Sequence, residues 1–433
     1  MMRMKLTLVL LLLFFIIPAF CEIFTLEKSI EIALRNDPGL KQLHEQLARV
    51  KLQKSKSYST FYPRISATGL YLKQGLPLSM QMMAEQLGGG AADMGISEET
   101  YSFSLSATQP LYLGGARYYG LKISEISIEL KENDIELRKK ELQYNIKKAF
   151  YNIMLAGEFI KIFQESLALA EAQLRIAQTR FESGEASDFD VLRAEVQISN
   201  LKPRIYRAEN NLALATAAFL TQLNLPLETP VEIQGEFDST RITLSLESLI
   251  NEALQNRLEL KILEKSEELA DYGIKIAKSG YYPSLIFSYG YTEKNVEFNM
   301  DPDSWSSSWN AAMVLSIPIF NGFENRLNVE QAKSMKSEIA PATEGLKNGI
   351  RIQLKTAYLN LKNSEKILES SEQNIIQARR YVDIVQKSYE SGFMTSLDLM
   401  NAQFSLTQAM TENVQSRFEY QINLIELEYA LGK

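Results

Sequence analysis

Thiols and imidazoles are almost missing from this chain: its 433 residues contain one cysteine, Cys21, and one histidine, His44. So few soft donors exclude a disulfide framework and a Cys/His metal cluster, and a lone helical histidine gives no nucleophile–base system. No glycine-rich phosphate loop leads into a helix. Carboxylate pairs are plentiful among the 53 acidic residues, but on helices such pairs are ordinarily solvated faces. The composition therefore argues against an enzyme, and neither a cofactor nor a metal is expected. Long apolar runs are equally scarce. Leu6 to Ile17, broken only by Thr7, is the longest at 12 residues, short of the roughly 18 that a spanning helix needs. Any membrane passage is therefore expected to use strands.

That run follows Arg3 and Lys5 and precedes Pro18-Ala19-Phe20-Cys21, the layout of a secretory signal peptide over residues 1–21. Cleavage after Cys21 starts the mature chain at Glu22 and removes the only thiol. A lipid on Cys21 is the alternative, opposed by the bulk of Phe20. Loss of Arg3 and Lys5 leaves 44 basic against 53 acidic residues, a net charge of −9, which argues against nucleic acid as a partner.

The remainder is an internal two-fold sequence repeat. Leu26-Glu27, Ile30, Ala33-Leu34, Asn36 and Leu40-Lys41 return 220 residues later as Leu246-Glu247, Ile250, Ala253-Leu254, Asn256 and Leu260-Lys261. Phe61-Tyr62-Pro63 returns at the same shift as Tyr281-Tyr282-Pro283. Pro110-Leu111-Tyr112 matches Pro318-Ile319-Phe320, and Phe181-Glu182-Ser183-Gly184 with Asp190 matches Tyr389-Glu390-Ser391-Gly392 with Asp398, now shifted by 208. The change of shift lies between the two prolines of each half, which marks an insertion in an exposed loop. The copies span 22–225 and 246–433, with a Pro-, Glu- and Thr-rich linker at 226–245.

Within each copy the pattern switches period. Ile65, Ala67, Gly69 and Tyr71 alternate with Ser66, Thr68 and Leu70, and Tyr101, Phe103, Leu105 and Ala107 alternate with serines and Thr108. Leu285, Phe287, Tyr289 and Tyr291, then Trp309, Ala311, Met313, Leu315 and Ile317, repeat this in the second copy. Period two predicts strand pairs at about 64–110 and 284–318. Their length and their apolar and hydroxyl faces suit a membrane barrel with a wet lumen, although a soluble sandwich alternates similarly. Trp305 and Trp309 fit an interfacial aromatic belt or ordinary hairpin packing.

Between the strand pairs the rhythm is helical. Phe163, Leu167, Ala170, Leu174, Ala177 and Phe181 recur at steps of four and three, as do Ser371, Ile375, Ala378, Val382, Val385 and Tyr389. Val191, Ala194, Ile198, Leu201, Ile205, Ala208, Leu212, Ala215 and Phe219 continue the seam on a returning helix, which predicts antiparallel coiled-coil hairpins. Long helices are expected at about 116–183 and 324–391, the second kinked at Pro341, with return helices at about 186–222 and 394–431. Sixty-eight helical residues reach about 100 Å. A helix of about 28–60 leads into the first strand.

The signal peptide, the duplicated halves, the hairpins between Tyr-Pro and Pro-(Leu/Ile)-(Tyr/Phe), and the paired Phe-Glu-Ser-Gly and Tyr-Glu-Ser-Gly turns followed by Asp together resemble the TolC-like outer-membrane efflux family, over nearly all of the mature chain. The resemblance implies a mainly α fold with a membrane β-barrel portion: coiled-coil helices forming a trimeric α-barrel, and four strands per chain contributing to a 12-stranded β-barrel. It implies an exit duct of a tripartite efflux or type I secretion system in the outer membrane, its helical body in the periplasm. Partners would be two further copies, outer-membrane lipid, a periplasmic adaptor and an inner-membrane pump. Physics alone requires more than one copy, since four strands cannot close in lipid, but does not choose three over two. Asp398 matches the family's acidic constriction at the helical tips, with Asn401 one turn on. Asp190 and Tyr389 match a pair that links the two coiled coils, whereas Met394 and Phe189 replace another such pair, so a weak latch is expected. Ser183, Gly184, Glu185, Ser391, Gly392 and Phe393 match the tip that meets the adaptor. Helix capping explains Asp190 and Asp398 without a gate, and glycine as a helix stop explains the turns without a partner. The other functional reading is a non-channel periplasmic coiled-coil adaptor or scaffold.

Overall fold

The computed structural model describes residues 22–75, 99–237 and 245–433, together with 79, 82 and 86. The expected signal peptide, most of the loop after Gly75 and part of the linker lie outside these residues. The described residues divide into two compact units, one of 22–44, 134–237, 245–260 and 344–433, the other of 45–75, 99–133 and 261–343.

The first unit is helical. Thr25 starts helix α1 (Leu26–Asn36), its hydroxyl accepting from Lys28 N. Ser245 starts α5 (Leu246–Asn256) in the same way through Ser248 N. A single helix over 28–60 is not what forms. The chain breaks at Asp37, whose Oδ1 accepts from Leu40 N at 2.7 Å, and restarts as α2 (Pro38–Ser59), because a proline at the first helical position lacks only an N–H that would be unpaired anyway. Apolar spacing runs on across this break and conceals it. The second copy breaks at Arg257 before α6 (Leu258–Ser279). Two three-residue strands, β1 (Glu22–Phe24) and β4 (Val231–Ile233), pair in parallel; they are too short to leave a period in the sequence.

The long helices are α3 (Ala116–Glu182), α4 (Asp188–Leu223), α8 (Ile339–Glu390) and α9 (Ser396–Ala430). Along α8, Ile350, Leu354, Ala357, Leu361, Leu368, Ala378, Val382, Val385 and Tyr389 are buried at coiled-coil spacing. They meet Tyr420, Leu424 and Leu427 toward one end and Leu399, Leu406 and Met410 toward the other. Polar pairs punctuate the seam: Asn413 Nδ2 donates to Ser371 Oγ at 3.2 Å, and the Ser166 and Thr407 hydroxyls lie 2.8 Å apart. On α3 the buried line is Ile162, Ser166, Ala170, Gln173 and Ala177, while Phe181 of the expected seam is exposed. Two polar members made this line invisible to an apolar pattern.

The second unit holds one four-stranded antiparallel sheet in the order β2 (Arg64–Lys73), β3 (Glu99–Leu113), β5 (Ser284–Asn295), β6 (Ser306–Ser316). The register puts Ser66, Ser106, Gly290 and Asn310 in one row, and Thr68, Ser104, Thr292 and Ser308 in the next. Neighbouring hydroxyls bond within each row, Ser66 to Ser106 at 2.8 Å and Ser104 to Thr292 at 3.0 Å. The opposite face carries Ile65, Tyr71, Phe103, Leu105, Tyr289, Trp309, Met313 and Leu315. Pro110, lacking an N–H, coincides with the register shift between β3 and β5. Trp305 packs on Phe103 with ring centroids 5.3 Å apart and donates to Asn299 O, whereas Trp309 is 71% exposed.

Gly114 and Gly115 turn β3 into α3 at positive φ. In the second copy Gly322 and Phe323 do so before α7 (Glu324–Ser337), Phe323 at φ 68°, a conformation costly for a bulky residue. The break between α7 and α8 falls at Glu338. Pro341 thereby occupies the first turn of α8, where its missing donor costs nothing.

Candidate functional site at the helical tips

Both tip turns are built by the same device. Gly184 and Gly392 stand at φ 76° and 79°, and Glu185 N donates to Arg180 O as Phe393 N donates to Ser388 O. These are Schellman closures, and glycine is needed because a side chain resists this backbone. Ser183, Glu185 and Ser391 are exposed, and Phe393 is 87% exposed.

The return helices begin with carboxylates held by the residue three before. Thr395 N and Oγ1 donate to Asp398 Oδ2 at 2.9 and 2.6 Å. Asp398 Oδ1 has no hydrogen-bond partner among the described residues, so capping and an outward-facing charge coexist in one side chain. Ser187 N and Oγ donate to Asp190 Oδ2 at 3.3 and 2.8 Å, and Ser396 Oγ donates to Asp190 Oδ1 at 2.5 Å. Asp190 thus ties the first helical hairpin to the second. Asn401 is exposed one turn beyond Asp398.

Tyr389 is not the partner of Asp190 in this arrangement. It is 5% exposed, and the Arg180 guanidinium lies 4.4 Å from its ring centroid. Arg180 Nη2 also donates to Tyr389 O and Glu390 O, each at 3.2 Å, where the end of α8 concentrates partial negative charge. Met394 brings no cation to the tip, but Arg180 supplies one from the other hairpin. Beside this link a small cavity is lined by Gln173, Asp190, Gln197, Ser396 and Gln403 together with Ala170, Ala194 and Met400. Gln173 Nε2 is buried there without a hydrogen-bond partner.

Arg180, Ser396 and Gln173 are absent from any motif. The one sequence signal for Arg180 is a long cation one turn ahead of a glycine helix stop, positioned to reach carbonyls.

The carboxylates carry a pH consequence. The hydroxyls of Ser396 and then Ser187 hold Asp190 below its ordinary 3.8, and the Thr395 hydroxyl and then its N–H do the same for Asp398. Depressed values mean stabilisation that is complete above the unfolded pKa and is lost as pH falls through the folded values. Tip amides should therefore keep their hydrogen-exchange protection from pH 8 to 5 and lose it below about pH 4; undiminished protection at pH 2 would remove both carboxylates from tip stability.

Elsewhere the chemistry is sparse. His44 is exposed on α2. Among the described residues no group of His, Cys, Asp and Glu is placed to hold a metal, and no helix is long and apolar enough to cross a membrane.

A family model described as outer membrane efflux protein matches residues 29–224 and 249–433. Outer membrane protein TolC of Vibrio cholerae is 24% identical over 257 residues, 58% of this chain and 59% of that protein. The chain spans little more than half the length of the curated relatives it matches. Among solved structures, the Campylobacter jejuni CmeC outer membrane channel aligns with a TM-score of 0.78 at 17% identity, covering 94% of this chain and 85% of that one. The open state of the Neisseria gonorrhoeae MtrE outer membrane channel gives 0.75 at 20%, covering 94% and 88%.

Proposed function

This chain belongs to the outer membrane efflux protein family, and on that premise we propose that it is a passive outer-membrane efflux channel. In this reading three copies close a 12-stranded barrel in the outer membrane, and duplicated helical hairpins continue the duct through the periplasm to a gate at their tips. A periplasmic adaptor meets the tips and an inner-membrane pump drives export.

The observation that carries this reading is the sheet. Small polar residues form adjacent rows on one face, one of them wholly hydroxyl (Thr68, Ser104, Thr292, Ser308), aromatic and aliphatic side chains cover most of the other, and β2 and β6 are edges. In hydrocarbon an open edge leaves several kcal/mol per unpaired group, so the sheet must close on further copies. Exposed Phe61, Tyr62, Tyr281, Tyr282, Phe320 and Phe323 at the strand ends suit a membrane interface. A second stripe on α8, with Ile352, Leu359, Ile376 and Ile384 exposed, suits helix packing between copies. At the tip, Asp398 with one uncommitted oxygen suits an acidic constriction carrying one charge per copy.

The protein should stay with outer membranes through high-salt and carbonate washes and form ion channels in planar bilayers. Asp398→Ala should raise conductance and weaken block by divalent cations. Release into the soluble fraction by carbonate would sink the channel reading, and unchanged conductance would remove Asp398 from the gate.

A further inference from the structure

The four strands of the sheet contain five charged residues: Arg64, Lys73, Glu99, Glu293 and Lys294. Their distribution between the faces is uneven. Arg64 stands in register with Thr108 and Ser288, and Lys294 with Ser102 and Ser306; both therefore belong to the hydroxyl-bearing face. Glu99 pairs in register with Lys73, and Glu293 with Phe103 and Ser307, which puts both acids on the apolar face.

The acids are also engaged there. Lys73 Nζ lies 2.6 Å from Glu99 Oε1, and Tyr291 OH donates to Glu293 Oε1 at 2.9 Å. Arg64 and Lys294 are exposed and have no ion-pair partner among the described residues. They flank the rows of Ser66 and Thr68, Arg64 in the row of Thr108, Ser288 and Ala312, and Lys294 in the row of Ser102 and Ser306. Between them the face offers Ser, Thr, Asn and Gly, with no carboxylate.

Resting on the channel reading, we infer that the strand-built part of the duct selects for anionic solutes. Two unpaired cations per copy give six around a closed trimer, three on each side of the uncharged polar rows. Charges of one sign lining a channel with low-dielectric walls raise the local concentration of counter-ions, and hydroxyls can hydrogen-bond a passing anion. The acidic tip opposes this preference in series, so the wild-type current reports both. Anionic exported molecules meet a favourable barrel once past the tip.

The test separates the two regions in planar bilayers under a potassium chloride gradient, with the full-length oligomer. Asp398→Asn, which removes the tip charge, should give a reversal potential corresponding to about two- to threefold preference for chloride over potassium. Adding Arg64→Gln and Lys294→Gln should abolish that preference, and Arg64→Lys should retain it. Lys73→Gln, on the other face, should leave it unchanged. Channels that form but keep the same selectivity without Arg64 and Lys294 would overturn the inference while leaving the conduit intact. Folded oligomers that never conduct would overturn the conduit reading, and this inference with it.

Discussion

Arg180→Ala should raise single-channel conductance severalfold by releasing the tip. The guanidinium makes two charge-assisted hydrogen bonds to the last carbonyls of α8 and lies over the Tyr389 ring. Each bond of this kind contributes about 1.5–3 kcal/mol and the ring contact about 0.5–1 kcal/mol, so its loss shifts a closed–open balance by up to roughly 3.5–7 kcal/mol per chain. A factor of ten accompanies each 1.4 kcal/mol, and in the proposed trimer three copies act on one aperture. Ser396→Ala, which removes one neutral donor from Asp190, should have a smaller effect in the same direction. Arg180→Lys should fall between, because an ammonium keeps the charge but lacks the planar fork. If Arg180→Ala conducts like wild type while Asp398→Ala does not, Arg180 is structural and the closing link lies elsewhere.

The second large effect discriminates between neighbours in sequence. Ala311 and Ala312 sit near the middle of β6, paired with Tyr289 and Ser288, and so on opposite faces. Arginine at a lipid-facing midplane position costs about 2–4 kcal/mol, whereas lumen positions tolerate charge. Ala311→Arg should therefore abolish detergent-resistant oligomers, their melting followed by heat-modified electrophoretic mobility. Ala312→Arg should leave them intact and alter only conduction. Equal behaviour of the two variants would refute the assignment of faces.

The faces were readable from the sequence because a strand's period of two writes its environment into every second residue: Ile65, Ala67 and Tyr71 against Ser66 and Thr68 require no partner to interpret. The α8 seam was readable for the same reason at period 3.5. What escaped depends on contacts between distant positions or on polar side chains. The tip link joins Arg180 to Tyr389 and Asp190 to Ser396, residues more than 200 apart, and no local pattern pairs them. Gln173 and Ser166 line α3's buried face while reading as surface. The break at Asp37 was signalled by Asp-Pro-Gly but masked by apolar spacing on both sides. The β1–β4 pair is three residues long and carries no period at all.

On the channel reading, the strand order has a consequence for how the proposed oligomer is made. Because β3 and β5 join the two halves of one chain directly, each copy is divalent, with one open margin at β2 and one at β6, each bearing both N–H donors and C=O acceptors. A linear string of copies keeps both margins unsatisfied whatever its length, and only the last addition, which joins head to tail, cancels them together. Assembly should consequently be a ring-closure reaction without a long-lived two-copy stage in lipid, its cost borne at nucleation and its stability gained in the final step.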